Sequence, residues 1–144
     1  MTKKVKITIL GTQNQCDGQT DSSRSTAEGM YYFRGGKHYI VFEELSPDHT
    51  DSIRSAMRFD EKRLVLIRQG GLNTRMEFER GVRMRSSYAA GPGTMVIDID
   101  TKQYVLRESD GMMILKVSYK LFLEEKFCAD CRIEVNINAV PEGR

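Results

Sequence analysis

The stretch Leu115-Lys116-Val117-Ser118-Tyr119-Lys120-Leu121-Phe122-Leu123, followed past Glu125-Lys126 by Phe127-Cys128-Ala129-Asp130-Cys131-Arg132-Ile133-Glu134-Val135-Asn136-Ile137, decides the fold. Its apolar residues return at every second position: Leu115, Val117, Tyr119, Leu121 and Leu123, then Phe127, Ala129, Cys131, Ile133, Val135 and Ile137. The alternates are polar: Lys116, Ser118 and Lys120, then Asp130, Arg132, Glu134 and Asn136. Side chains of a strand point alternately to its two faces, whereas a helix needs a spacing of three or four. The stretch therefore reads as two antiparallel strands joined by a turn near Glu125-Lys126, each with one core face and one wet face.

Outward from this hairpin the same period recurs, and no segment carries helical periodicity. Val5, Ile7 and Ile9 alternate with lysine and threonine in a first strand, and the polar residues 11 to 25 suit a loop into the second. Turn signals then follow at Gly35-Gly36, Asp60-Glu61-Lys62, Gly70-Gly71, Arg80-Gly81, Asp100-Thr101-Lys102 and Asp110-Gly111. Leu45 to Asp51, with Pro47, suits a longer connection or one short helical turn. The pattern predicts an all-β, antiparallel, up-and-down barrel of about eight to ten strands with little or no helix, because closure removes exposed strand edges. One domain over residues 1–144 is expected, and a β-sandwich is the competing arrangement.

Two glycine pairs assign faces, glycine being suited to the positive φ of tight hairpin turns. A two-residue turn at Gly35-Gly36 groups Tyr31 and Phe33 with His38, Ile40 and Phe42, and places Met30 and Tyr32 with Tyr39 and Val41 on the other side. Both faces are apolar there, so something is expected to cover the second. The same turn at Gly70-Gly71 sets Arg68 opposite Asn73 and Leu66 opposite Arg75, with Val65, Ile67, Thr74 and Met76 on the core face.

A chain of 144 residues with 40% hydrophobic and 29% charged residues is globular, and its apolar runs are too short for a membrane-spanning helix. Lysine interrupts the basic start and no apolar segment follows, so no signal peptide is expected. Three cysteines, an odd number, fit a reducing cytoplasm. The net charge of +2 is too small to imply a polyanionic partner, although Arg54 to Arg85 holds nine basic residues against four acids. A solvated sheet face accounts for that surplus more simply than an anion-attracting patch.

No catalytic signature appears. Cys128-Ala129-Asp130-Cys131 has C-x-x-C spacing, but residues three apart on an extended strand face opposite ways with Cα atoms about 10 Å apart, too far for a disulfide or for converging metal ligands unless a bulge intervenes; Cys16 offers a third ligand, and no fourth is evident. His38 falls beside Phe33 and Ile40, as a hydrogen-bonded, partly buried imidazole, and His49 falls in the Pro47 loop. Neither a nucleophile elbow nor a phosphate-binding glycine motif is present. Asp98 and Asp100 fit a solvated strand face better than acid–base work. The constellation with chemical potential is Arg68, Asn73, Arg75 and Glu77, with Tyr88 from the next strand. Inside a barrel those guanidinium groups would need an anionic partner, either Glu77 or a ligand carboxylate or phosphate; outside, their stems would cover Leu64 and Leu66.

The chain resembles the YwiB-like family of small bacterial proteins over nearly its whole length. The resemblance rests on Val5-Lys6-Ile7-Thr8-Ile9 with Gly11-Thr12-Gln13, on Thr26-Ala27-Glu28-Gly29 with Tyr31-Tyr32, and on His38-Tyr39 through Phe42-Glu43-Glu44. It continues in Leu66-Ile67-Arg68-Gln69-Gly70 and Asn73-Thr74-Arg75-Met76-Glu77-Phe78. Where such proteins carry Thr-Pro before a glycine after the tyrosine, this chain has Ala89-Ala90-Gly91-Pro92-Gly93. The resemblance implies a lipocalin-like, calycin-like barrel of unknown function and supplies no activity.

Three functions follow as expectations, none enzymatic and none with a cofactor or metal. The first is a module binding a small, partly apolar, anionic ligand inside the barrel through the Arg68 constellation. The second is a protein-interaction or homodimeric module using Met30, Tyr32, Tyr39 and Val41. The third, with least support, is nucleic-acid binding through residues 54–85.

Overall fold

The computed structural model describes residues 3–45, 52–70, 72–90 and 93–141, without the side chains of Leu45, Leu72 and Tyr88 to Ala90. The connection containing Pro47 and His49, and the Gly91-Pro92 turn, lie outside the described residues. Ten strands follow in chain order: β1 (Lys3–Gln15), β2 (Thr20–Arg34), β3 (Lys37–Leu45), β4 (Ser52–Phe59), β5 (Arg63–Gln69), β6 (Leu72–Glu79), β7 (Arg83–Ala90), β8 (Gly93–Ser109), β9 (Met112–Leu123) and β10 (Lys126–Ala139). Each pairs antiparallel with the next, and β1 pairs with β10, which closes an up-and-down barrel. No described residue is helical, and none forms a helix long and apolar enough to cross a membrane.

Alternation sets inside from outside as the β9–β10 stretch predicts. Leu115, Val117 and Tyr119 are buried in the lumen beside Val135, Ile137 and Cys131, while Lys116, Lys120 and Arg132 lie on the outer face. Charged side chains outside and apolar ones within are the reverse of a lipid-facing barrel. The turn between β9 and β10 is Glu124-Glu125, both with positive φ (49° and 69°). Side chains rarely adopt that conformation, and here it is held by Glu124, which exchanges hydrogen bonds with Val96, and by Glu125, which accepts from Arg85.

One half of the lumen is solid. Phe59, Phe78, Leu64, Ile40, Leu115, Val117, Ile137 and Val5 fill it at the end bearing the β2–β3, β4–β5, β6–β7 and β8–β9 turns. Across that end the Tyr104 hydroxyl donates to the Asp60 carbonyl oxygen at 2.7 Å, and burial pushes the tyrosine's pKa up. Burial also pushes the Asp60 carboxyl up, but hydrogen bonds from Lys37 and from the backbone N–H groups of Lys62 and Arg63 outweigh it and hold its pKa at about 2.

Four sequence expectations change. Residues 11 to 25 are not a loop: β1 runs to Gln15 and β2 begins at Thr20, so this polar stretch is a long hairpin whose inward positions are Gly11, Gln13, Ser23 and Ser25. Asp100-Thr101-Lys102 is not a turn but a β-bulge within the 17-residue β8. A second bulge, between Phe127 and Ala129, leaves Phe127 exposed against Phe122 and puts Cys128 on the core in its place. Asp98 is buried on the outer face rather than solvated, clamped by Arg83 and Arg85 at 2.9 Å each, with Arg83 lying 4.0 Å above the Phe122 ring. Those hydrogen bonds, Arg85's first, hold the Asp98 carboxyl below its ordinary range despite burial.

The ladder is uneven. Its thinnest seam is β6–β7, where only the pairs from Leu72↔Ala90 to Thr74↔Tyr88 form, and beyond them the Ser86 hydroxyl donates to the Arg75 carbonyl oxygen instead.

Candidate ligand-binding cavity

The other half of the lumen is hollow. Gly11 and Ser23, paired inward residues of β1 and β2, have little or no side chain to fill it. The result is a cavity of about 660 Å³, within the range of small-molecule sites. Met57, Leu64, Leu66, Met76, Ile97, Leu121 and Leu123 give it an apolar wall, and Gln13, Asp21 and Ser23 a polar one.

Arg68 is the cationic side chain that reaches this space from the barrel wall. The β5–β6 register is Arg68↔Thr74, Ile67↔Arg75, Leu66↔Met76 and Val65↔Glu77. It differs by one residue from the two-residue turn expected at Gly70-Gly71, and a one-residue slip exchanges faces between paired strands. Arg68 therefore points inward with Leu64, Leu66, Thr74 and Met76. Asn73, Arg75 and Glu77 point outward, so the expected constellation does not share a face. Asn73 accepts from the Gly70 backbone N–H, and Arg75 lies 3.8 Å from Glu77. The Tyr88 backbone pairs with Thr74 and Met95, and its side chain lies outside the described residues.

The anionic partner of Arg68 is Glu44, not Glu77. Glu44 Oε2 is 3.3 Å from Arg68 Nε, yet the N–H does not aim at it, and Nε has no hydrogen-bond acceptor among the described residues. Glu44 is held instead by two serines on the strands flanking β3: Ser25 Oγ donates to Oε1 at 3.1 Å and Ser55 Oγ to Oε2 at 2.9 Å. The hydroxyl of Thr74, across from Arg68, is likewise buried without a partner. Glu44 and Ser55 were readable in principle, since alternation from His38 and Ile40 through Phe42 places Glu44 on the same face.

Tyr119 lines the cavity, and its hydroxyl shares a hydrogen bond with the buried Cys131 thiol behind it. Burial pushes the Tyr119 hydroxyl up, and it raises the Cys131 thiol to about 11 against the opposing effect of that hydrogen bond. Such a thiol is protonated at neutral pH and is a poor nucleophile. Cys128 borders the cavity through the β10 bulge, and all three cysteines are free. At the closed end, the buried His38 shares a hydrogen bond between Nδ1 and the Tyr31 hydroxyl at 2.8 Å and stacks on Phe59.

The Gly35-Gly36 hairpin has the expected register, including Met30↔Val41 and Tyr32↔Tyr39. These four residues share the outer face, with the tyrosine rings stacked at 4.9 Å. Tyr32, Tyr39 and Val41 border a shallow depression of about 160 Å³ floored by Ala56, Val65 and Ile67 and flanked by Arg58 and Arg75.

A ten-stranded, closed, antiparallel β-barrel with an internal cavity at one end is the class these features define. The chain belongs to the family described as Domain of unknown function (DUF1934), whose model matches residues 7–135. Among solved structures it is similar to the crystal structure of the YwiB protein from Bacillus subtilis. The TM-score is 0.79 and the identity 13%, over 96% of this chain and 93% of that one. At that identity the likeness concerns the fold alone. None of the curated proteins compared with the chain matches it.

Proposed function

We propose that this protein is a non-enzymatic cytoplasmic binding module whose barrel interior takes a small, partly apolar, anionic ligand oriented by Arg68. The observation that carries this reading is the cavity of about 660 Å³ with an apolar wall and one inward guanidinium whose Nε finds no acceptor among the described residues. Buried donors are normally matched, so Arg68 and the Thr74 hydroxyl are the groups a ligand head group or ordered water would satisfy. Three free cysteines fit a reducing compartment.

A thermal-shift screen of fatty acids, isoprenoids and acidic metabolites tests it. A true ligand at a hundredfold its Kd stabilises the native protein by about 2.7 kcal/mol. Leu121→Trp, which pushes a ring into the cavity, is expected to abolish that shift while leaving a folded barrel. A Leu121→Trp protein that binds as the native one does would place the site outside the lumen.

A second reading is a protein-interaction or homodimeric module. Met30 and Val41 are 45% and 42% exposed beside the stacked Tyr32 and Tyr39, and apolar patches of this kind mark interfaces. It predicts a dimer by sedimentation velocity that Tyr39→Glu dissociates. A native monomer across a wide concentration range would remove it.

A further inference from the structure

The arrangement behind Arg68 bears on the head group, and so rests on the ligand-binding reading above. A guanidinium offers five N–H donors in a rigid fork. Glu44 lies 3.3 Å from Arg68 Nε and balances its charge. Its two oxygens, however, are turned to Ser25 and Ser55, and the buried Nε of Arg68 finds no hydrogen-bond acceptor among the described residues. The site is close to neutral in charge while its Nε donor is unmatched among the described residues. The cavity's remaining charged groups among the described residues are Asp21 and the exposed Arg132 at the rim, of opposite sign.

An incoming anion therefore gains directed hydrogen bonds from Arg68 but also meets a fixed carboxylate behind it. For a head group with one negative charge, attraction to Arg68 offsets repulsion from Glu44, and the hydrogen bonds decide. A second negative charge meets the same balanced pair, so it gains no net attraction and no further donor while adding its own desolvation cost. We propose that Glu44, acting through Arg68, makes the cavity selective for singly charged head groups, carboxylates foremost, and against phosphate dianions.

Isothermal titration at pH 8 with octanoate, octyl sulfate and octyl phosphate tests this. Sulfate has the tetrahedral shape of phosphate but one charge, whereas a phosphate monoester, with a second pKa of about 6, is then mostly dianionic. Octanoate and octyl sulfate are expected to bind within about threefold of each other, and octyl phosphate about tenfold or more weaker, the order of effect a nearby unit charge exerts in partly buried surroundings. Glu44→Gln keeps hydrogen-bonding atoms for both serines and is expected to close the sulfate–phosphate gap to about threefold. If that variant does not fold, the series on the native protein decides alone. Phosphate binding as tightly as sulfate to the native protein, or an unchanged gap in Glu44→Gln, overturns the selectivity and leaves the binding reading standing. Binding by none of the three removes both.

Discussion

Replacing Gly29 by valine is expected to destabilise the barrel by about 4 kcal/mol and alanine by about 2, at the upper end of the range for overpacked cores. For a chain of this size that corresponds to a fall in melting temperature of roughly 3–4 °C per kcal/mol. The reason is proximity rather than backbone conformation. Gly29 is buried in β2, opposite Phe42 of β3, and a Cβ there would lie 2.7 Å from the Val41 carbonyl oxygen and 3.0 Å from Ile7 Cδ1 and Phe42 Cβ. The nearest of these atoms belongs to a backbone hydrogen-bonded into the barrel, so it cannot swing aside as a side-chain tip would. Gly35 and Gly36 have open space around the missing Cβ, and their replacement is limited to the cost of positive φ. Urea denaturation of Gly29→Ala and Gly29→Val measures the effect, and a loss below about 1 kcal/mol for valine would mean that β2 and β3 separate there at little cost.

Gly29 also shows what the sequence holds and what it conceals. Thr26-Ala27-Glu28-Gly29 stands out in the chain, but a glycine without a turn signal reads only as an irregularity until the neighbouring strand is placed. Where one face is plainly apolar, alternation is sufficient, as for the inward stripe of β9; at Gly35-Gly36, where both faces are apolar, the two-residue turn sets the register. Around Gly70 it is not. Leu64 and Leu66 lie on one face and Val65 and Ile67 on the other, so hydrophobicity does not choose between registers, and the turn is one residue longer than two glycines imply. That residue moves Arg75 outside and leaves Arg68 within. The cavity was hidden for a different reason. Its walls recede where Gly11 and Ser23 are small, and glycine and serine are the composition of a loop as much as of the inside of a hollow barrel. The bulge at Cys128 had no sequence signal, because Phe127 continues the apolar alternation of β10 unbroken.

Glu44→Leu alone is expected to cost about 3 kcal/mol, because it leaves the Arg68 charge in the lumen without compensation. Arg68→Met alone should cost less, about 1–2 kcal/mol, since Glu44 keeps its two serine hydroxyls. The pair of substitutions together should cost less than the two added separately, by about 2 kcal/mol or more in a double-mutant cycle. The side chains are 25% and 12% exposed, enough burial for desolvation to consume most of their mutual attraction, and apolar residues of similar volume commonly match such a pair. Its presence in an otherwise apolar wall is therefore poorly explained by stability, and the unmatched Nε is what a purely structural pair would be expected to lack. If the double variant is nearly as stable as the native protein yet no longer binds octanoate, the charges serve recognition. If it is less stable than either single variant, Glu44 and Arg68 hold the barrel together and the anchor for an anionic ligand must be sought elsewhere.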